Sequence, residues 1–241
     1  MSRLLDVFLN NLLPVFLSAG AGLALGRAFP LERKTVAQLT FYIFSPCLVF
    51  SSLTQTQVSG GEFGQLALFT LTMVGGLALL AALTGRFLSA DRRTLVTLVI
   101  ASAFANSGNY GLAATRFAFG EAALARAVIY YVFSSVGVYT LGIFVASLGK
   151  QRPAAALREI VSVPAFYAVA AAGLVRGLNL SIPPFLSRTA ELLGEAAIPA
   201  MLVLLGLQMA AMRFHREAWP PRRLLLLAAA ATLQLVLAPF L

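Results

Sequence analysis

Charged residues are scarce in this sequence. Asp, Glu, Lys and Arg together make up 11% of its 241 residues, whereas about 25% is usual for a soluble domain. Hydrophobic residues make up 59% of the chain, and the mean hydropathy is +0.86. A chain with so few charges cannot build a water-facing surface around its core. The composition therefore excludes an ordinary soluble domain and indicates an integral membrane protein.

Cysteine and histidine are almost absent, with Cys47 and His215 as the single examples. One cysteine excludes an intramolecular disulfide, and with one histidine it offers no metal-ligand cluster. We expect Cys47 to be a small core residue. Gly-rich phosphate loops and the HExxH, GxSxG and CxxC motifs do not occur in a supporting context. The sequence therefore predicts no metal, no cofactor and no enzymatic activity.

Acidic residues are half as frequent as basic ones, which gives a net charge of +9. The basic residues form no stripe with interleaved aromatic residues, so we do not expect a nucleic-acid partner. They separate apolar runs instead, and these runs predict eight membrane-spanning helices. The predicted helices cover residues 5–28, 35–54, 64–87, 93–118, 122–148, 158–177, 186–211 and 222–241.

Most basic residues fall in the odd-numbered connections between the predicted helices. They are Arg27, Arg33 and Lys34 in the first connection, Arg86, Arg92 and Arg93 in the third, Lys150, Arg152 and Arg158 in the fifth, and Arg213, Arg216, Arg222 and Arg223 in the seventh. Positively charged loops stay in the cytoplasm. The pattern thus predicts a multi-pass protein of the cell (inner) membrane with its N-terminus outside.

A proline pattern indicates an internal duplication. Pro14 begins Pro-Val-Phe-Leu, Pro164 begins Pro-Ala-Phe-Tyr, and a second proline follows each of them, Pro46 after 32 residues and Pro199 after 35. A first copy of five helices (1–150) would make the second copy (151–241) an inverted-topology repeat. The second copy then lacks partners for helices four and five. Either a ten-helix protein has been truncated, which we favour, or the repeat interpretation is wrong.

The most informative segment interrupts the fourth predicted helix. Within residues 101–111, six consecutive residues are polar or glycine, namely Asn106, Ser107, Gly108, Asn109, Tyr110 and Gly111. At about 1.5 Å per residue, Asn106 lies about 20 Å beyond Arg93, near the middle of the membrane. Broken helices at this depth line cavities in many transporters, and the N–H end of the second half, expected near Tyr110, suits an anion. The alternative is a tightly packed helix crossing.

Other polar or small residues within the predicted helices are weaker candidates. Pro46 and Pro199 can kink their helices, and we expect Ser45 or Ser51 to bind the carbonyl that Pro46 releases. Pro46 and Ser51 are also candidate substrate-binding residues. Ser134 and Ser135, among Tyr130, Tyr131 and Tyr139, either line a pocket or bond between helices. Glu191 and Glu195 share one helix face, and Glu195 is either an ion-coupling residue or part of a solvated pair. Ser18, Gly22, Gly26, Gly75 and Gly76 predict close helix packing.

Four motifs resemble the auxin efflux carrier family, the prokaryotic relatives of plant PIN proteins. They are Pro46 after an aromatic helix start, Asn106-Ser-Gly-Asn-Tyr-Gly111, Tyr139-Thr-Leu141, and Ala196-Ala-Ile-Pro-Ala-Met-Leu-Val-Leu-Leu-Gly206. The resemblance implies an all-α inverted-repeat membrane fold of ten helices, related to bile acid/sodium symporters, of which about eight are present here. Helices one, two, six and seven would form a scaffold, and helices four and nine would be broken and cross at the substrate site.

That resemblance implies a binding role for the residues that match family positions. Asn106 and Asn109 match the polar crossing, Ser134 and Ser135 fall near pocket positions, and Pro46 matches the family proline. The predicted function is secondary transport of small organic anions, such as carboxylates or auxin-like compounds, by alternating access. A proton or a sodium ion is the expected coupling partner, and the sequence leaves open whether the protein forms a homodimer. The alternative is a truncated, non-transporting membrane component.

Overall fold

The structure is a computed structural model that describes Leu5 and residues 8–56, 58–138, 163–212 and 221–238. Within these ranges the ordered elements are all helical, and none of the described residues forms a strand. The predicted end of the fifth helix with Tyr139, the predicted start of the sixth at 158–162, and His215 lie outside the described residues.

Each predicted membrane span contains a helix, and most described boundaries agree to within a few residues. The helices are α1 (Phe8–Ala28), α2 (Arg33–Gln55), α3 (Gly60–Phe87), α4a (Arg92–Ala103), α4b (the π turn Ser107–Gly111 continued by Leu112–Phe119), α5 (Glu121–Gly137), α6 (Pro164–Gly177), α7 (Pro184–Ala210) and α8 (Pro221–Thr232 continued by the π turn Leu233–Leu237). Wider π turns occur at Phe8–Leu12, Thr40–Phe44, Ser107–Gly111 and Leu233–Leu237.

In the described part of the chain, four helices are long and apolar enough to cross a membrane, namely α1, α2, α3 and α7. Large apolar side chains remain exposed on the helices, as at Leu79 and Leu235, which are 61% and 75% exposed. Such surfaces are costly in water but suit hydrocarbon. The structure is that of a membrane-embedded, multi-pass helical protein.

The chain divides into two compact units. The first unit contains Met1–Phe63, Asn106–Val132 and Val163–Arg213, and the second contains Gly64–Ala105, Phe133–Ser162 and Phe214–Leu241. The units are spatial, and they differ from the repeat halves at 1–150 and 151–241, which stay a prediction. One boundary between the units falls at Ala105–Asn106, inside the predicted interruption of helix four.

The first unit is built on helices α1, α2, α6 and α7, with α1 against α7 and both α6 and α7 against α2. A Cβ atom added to Gly22 would lie 2.8 Å from Val203 Cα, and one added to Gly26 would lie 2.8 Å from Ala210 Cβ. These distances leave no room for a larger side chain on that face of α1. The close packing predicted from the spacing of Gly22 and Gly26 is confirmed.

The second unit packs α8 against α3 and α4a. Leu226, Ala230 and Leu233 recur at helical spacing on one face of α8 and are buried with Leu98 and Val99 of α4a. Gly75 and Gly76 of α3 do not share in close packing among the described residues, because a Cβ atom added to either would meet no atom within 4 Å. The prediction for these two glycines was wrong within this part of the chain.

An arginine secures the end of α2 in the first unit. The Arg176 guanidinium, in the last turn of α6, donates hydrogen bonds to the carbonyl oxygens of Leu53 at 3.0 Å and Thr56 at 2.7 Å. The last carbonyl groups of a helix have no partner within the helix, so a cation placed there satisfies them and complements the helix dipole. Arg176 therefore fixes where α2 ends against α6.

Candidate functional site

Helix four is interrupted at residues 104–106. Helix α4a ends with the Phe104 N–H bonded to Ile100 O at 3.2 Å, and Phe104 and Asn106 have non-helical backbone angles, with ψ of 99° and 63°. Helical backbone resumes at Ser107, where the Gly111 N–H donates to Asn106 O at 3.1 Å. The break is therefore three residues long, rather than the eleven residues of the predicted interruption.

The short break follows from the cost of unpaired backbone in a membrane. Each further residue outside a helix would leave another N–H or C=O group without a partner at that depth. The π turn at Ser107–Gly111 avoids this by bonding the carbonyls of Asn106 and Ser107 to the N–H groups of Gly111 and Leu112. The second half of the helix thus starts at Ser107, three residues before the predicted start at Tyr110, and Asn109 lies in its first turn.

Polar groups lie at and just before this first turn. The first N–H groups of a helix have no acceptor within it. Asn106 is exposed and Asn109 is partly buried. Within the described part of the chain, neither of their side-chain amides has a hydrogen-bond partner. The turn therefore combines these amides with the partly positive end of α4b.

Tyr131 of α5 forms a wall beside this turn. A Cβ atom added to Gly108 would lie 2.8 Å from Tyr131 Cε2, so the ring packs directly on the glycine backbone. The hydroxyl groups of Tyr131 and Ser45 lie 3.0 Å apart and are hydrogen bonded. Ser45 is buried, with 1% of its surface exposed. Three helices, α2, α4b and α5, thus meet at Ser45, Gly108 and Tyr131.

Two further contacts hold the turn in the first unit. The Tyr110 ring lies 6.4 Å from the ring of Phe16 of α1, measured between centroids and tilted by 45°. The turn Ser107–Gly111 also packs against the Ala197–Ala210 portion of α7. These contacts seat the polar turn of helix four on the packed helices α1 and α7.

Pro46 lies at the point where α2 changes its winding. A proline has no N–H group and crowds the carbonyl four residues before it. Helix α2 widens into the π turn Thr40–Phe44 just before Pro46, and the Ser45 N–H reaches back to Thr40 O. The prediction that Ser45 or Ser51 hydrogen bonds to the carbonyl released by Pro46 was wrong. The Ser45 hydroxyl bonds to Tyr131 instead, and the Ser51 hydroxyl donates to Leu48 O at 3.2 Å.

Ser51 and Glu195 line a separate cavity, which we call the Glu195 cavity. Its volume is about 360 Å³, and its wall is formed by Leu48, Ser51, Ser52, Gln55, Thr56, Arg116, Glu121, Leu124, Glu191 and Glu195. Arg116 is paired with Glu121 at 2.6 Å. Helices α2 and α7 approach closely here, because a Cβ atom on Gly194 would lie 3.0 Å from Ser51 Oγ.

Ser134 and Ser135 belong to the second unit. Ser134 is buried, with 2% of its surface exposed, and Gly137 follows it by about one helical turn. A Cβ atom added to Gly137 would lie 3.3 Å from side-chain atoms of both Phe104 and Val74. The two serines thus lie near the part of α5 that packs against the start of the helix-four break. A shared pocket with Asn109 stays a prediction.

Sequence reasoning missed part of this arrangement. It named Pro46, but not the bond from neighbouring Ser45 to Tyr131. These two residues are 86 positions apart, and no local pattern links them. The small size of Gly108 was the one available signal, since a glycine within a helix can mark the close approach of another side chain.

The geometry describes a helical membrane protein with a broken helix and, at the break, polar groups that have no partner among the described residues, features common in transporters. A family described as membrane transport protein matches residues 7–157 of the chain. The chain belongs to this membrane transport protein family. It is also 25% identical over 186 residues to an uncharacterized transporter of Methanothermobacter thermautotrophicus, an alignment that covers 73% of this chain and 58% of that protein.

Proposed function

We propose that this protein is a secondary transporter of small organic anions that works by alternating access around the break in helix four. One observation carries the proposal. Asn106 immediately precedes the first turn of α4b and Asn109 lies within that turn, and neither side-chain amide has a hydrogen-bond partner among the described residues. Unpaired amides and free helix N–H groups at membrane depth are costly unless a ligand or water binds them.

The chemistry of the turn favours an anion. A helix N-terminus carries a partial positive charge, and its N–H groups point towards a ligand placed there. Asn106 and Asn109 add neutral donors, and Ser107 adds a hydroxyl. Carboxylates and auxin-like compounds fit this set, because a carboxylate accepts several hydrogen bonds at once. Gly108 lets the backbone approach the ligand, with Tyr131 as the wall beside it.

The remaining candidates have supporting roles in this proposal. Pro46 positions Ser45 at the turn, and Ser134 and Ser135 stay candidate substrate-binding residues. Ser51 is a further candidate for substrate binding and lines the Glu195 cavity, where Glu195 is the ion-coupling residue for a proton or sodium ion. Glu191 and Glu195 have no ion-pair partner among the described residues, so a cation can reach them.

The membrane setting follows the charge pattern of the sequence. We place the protein in the cell membrane with its N-terminus outside and the basic connections in the cytoplasm. The inverted-repeat architecture belongs to the same proposal. Alternating access in such proteins moves one group of helices against another around the site.

A substrate panel tests the proposal. The purified protein is titrated with malate, succinate, citrate, indole-3-acetate and matched neutral amides, at acidic and neutral pH, with sodium or potassium as the cation. We expect saturable binding of at least one carboxylate and none of its neutral amide. Binding of neutral compounds alone, or of none of the panel, would contradict it. A dependence on pH or sodium that disappears in Glu195→Gln would identify the coupling ion.

A further inference from the structure

The second unit contains an amide that sequence reasoning left without a role. Gln234 lies in the π turn at the end of α8, 13 residues after Pro221. At about 1.5 Å per residue it sits about 20 Å into that helix, near the middle of the membrane. A polar side chain at this depth is costly unless it is paired, and in such proteins it usually has a specific role.

The partners of Gln234 are the two backbone groups at the end of α4a. With the carboxamide oriented to face complementary groups, its Nε2 donates to Ala101 O and its Oε1 accepts from the Ala105 N–H, both at 3.2 Å. In an uninterrupted helix, the N–H of residue 105 would donate directly to the carbonyl of residue 101. The amide therefore takes the place of one rung of the helical hydrogen-bond ladder.

Insertion of a side chain into this ladder is one of the few physical causes of a sharp break in a helix. The sequence before the break does not require one, since 101–105 contains neither proline nor glycine. The Phe104 N–H still bonds Ile100 O at 3.2 Å, so the helical pattern is intact one residue earlier. The first helical hydrogen bond to be lost is thus the one from the Ala105 N–H to Ala101 O, where the Gln234 amide is inserted.

The packing of α8 holds the amide in place. Ala230 lies one turn before Gln234 on the same face of α8, and Leu233 is adjacent; both are buried against α4a or α3. Ala103 and Phe104 pack with Met73, Val74 and Leu77 of α3. Both sides of the inserted amide are therefore fixed by apolar contacts within the second unit.

We infer that Gln234 is a positioning residue that holds helix four open at Ala101–Ala105 and thereby sets where the chain leaves α4a towards Asn106. Its amide satisfies the backbone groups that the break exposes, which makes the break tolerable in a membrane. We call this inserted Gln234 amide the wedge. Its insertion between Ala101 and Ala105 does not depend on a substrate, whereas its importance for transport rests on the proposed function.

Labelling of a single cysteine tests the wedge without any transport measurement. Asn106→Cys in a Cys47→Ala background gives one exposed thiol just after the break, and its rate of maleimide labelling is measured in the purified protein. In Gln234→Met the Ala105 N–H can close onto Ala101 O, so we expect labelling to slow at least about fivefold, given that a regained ladder bond is worth about 1 kcal/mol. Unchanged or faster labelling would overturn the inference.

A second variant separates the wedge from general damage to the fold. In Gln234→Glu, a protonated carboxyl group can donate and accept as the amide does, whereas a carboxylate cannot donate. Labelling should therefore match the parent protein at acidic pH and slow at alkaline pH, each compared with the parent at the same pH. Gln208→Met, at an exposed amide of α7, is the matched control and should not change the rate. Loss of the pH dependence in Gln234→Glu would also overturn the inference.

Discussion

The hydroxyl groups of Ser45 and Tyr131 lie 3.0 Å apart, which joins α2 to α5 beside the polar turn of helix four. Ser45 is buried next to Pro46, and the Tyr131 ring packs on Gly108. One hydrogen bond thus ties the proline-induced change in α2 to the wall of the candidate site. Through this link, Pro46 can affect the site by way of Ser45 and Tyr131.

The Ser45–Tyr131 bond should be detectable as a coupling energy. Ser45→Ala and Tyr131→Phe each remove one partner, and we expect each to lower the free energy of unfolding by about 1–3 kcal/mol because the other hydroxyl is left without this partner. The double variant should lose about 0.5–1.5 kcal/mol less free energy of unfolding than the sum of the losses of the two single variants. The measurement is a double-mutant cycle of unfolding in detergent. Additive effects would show that the bond contributes nothing.

Gly108→Ala should disturb the candidate site through Tyr131. The new Cβ atom would lie 2.8 Å from Tyr131 Cε2, and overpacking of this kind typically costs about 1–3 kcal/mol. We expect a lower unfolding midpoint together with weaker substrate binding. In a Tyr131→Ala background the same change should have little further effect on the midpoint.

Gly75→Ala is the matched control for Gly108→Ala. An added Cβ atom at Gly75 meets no described atom within 4 Å, and replacing a helical glycine by alanine usually stabilises by about 0.5–1 kcal/mol. If Gly108→Ala behaved like Gly75→Ala, the contact with Tyr131 would not be as close as the structure has it.

Gly206→Ala should separate α1 from α7. The new Cβ atom would lie 2.8 Å from the backbone carbon of Gly22, and backbone cannot move aside as a side chain can. We expect the free energy of unfolding to fall by about 3 kcal/mol or more. The measurement is size-exclusion chromatography after heating, in which the variant should aggregate or show a much lower unfolding midpoint. Gly173→Ala on α6, where nothing lies within 4 Å among the described residues, should be tolerated. Equal stability of the two variants would contradict the close crossing.

The start of α4a should give a small dependence of stability on pH. Asp91 caps this helix, and the hydrogen bond from the Thr94 hydroxyl, with further bonds from backbone N–H groups, lowers the pKa of its carboxyl group below the ordinary value. Its stabilisation is therefore full above the ordinary carboxyl pKa and is lost as the pH falls through the lowered value. The effect is small because the group is fully exposed.

Asp91→Asn isolates that contribution, because asparagine keeps an acceptor oxygen but does not titrate in this range. The wild type should have the higher unfolding midpoint at neutral pH, and the difference should shrink as the solution is acidified. Parallel midpoint curves for the two proteins would contradict the assignment of the lowered pKa to this cap.

The helices could be predicted from the sequence because a membrane leaves few alternatives. Hydrocarbon forces each apolar run to satisfy its own backbone as a helix, so hydropathy located α1, α2, α3 and α7 to within a few residues at most of their ends. The polar residues at 106–111 likewise indicated an interruption of helix four, although the break lies at 104–106 and Ser107–Gly111 is helical.

The geometry of the break could not be predicted, because it depends on partners distant in the sequence. The π turn at Ser107–Gly111 and the contact of Gly108 with Tyr131 involve packing between helices. Gln234 is a single amide in an apolar helix, and its meaning depends on the position of Ala101 and Ala105 more than a hundred residues earlier. Local patterns carry no information about such pairings.

The central claim is that the first turn of α4b binds the transported anion, and flux through Asn109→Ala tests it most directly. Uptake of the carboxylate selected by the panel is measured in proteoliposomes with equal incorporation of wild type, Asn109→Ala and the control Gln208→Ala. Loss of a hydrogen bond to a charged ligand is worth about 1.5–3 kcal/mol, so we predict at least about a tenfold fall in flux for Asn109→Ala and none for the control. Undiminished flux through Asn109→Ala would contradict the account.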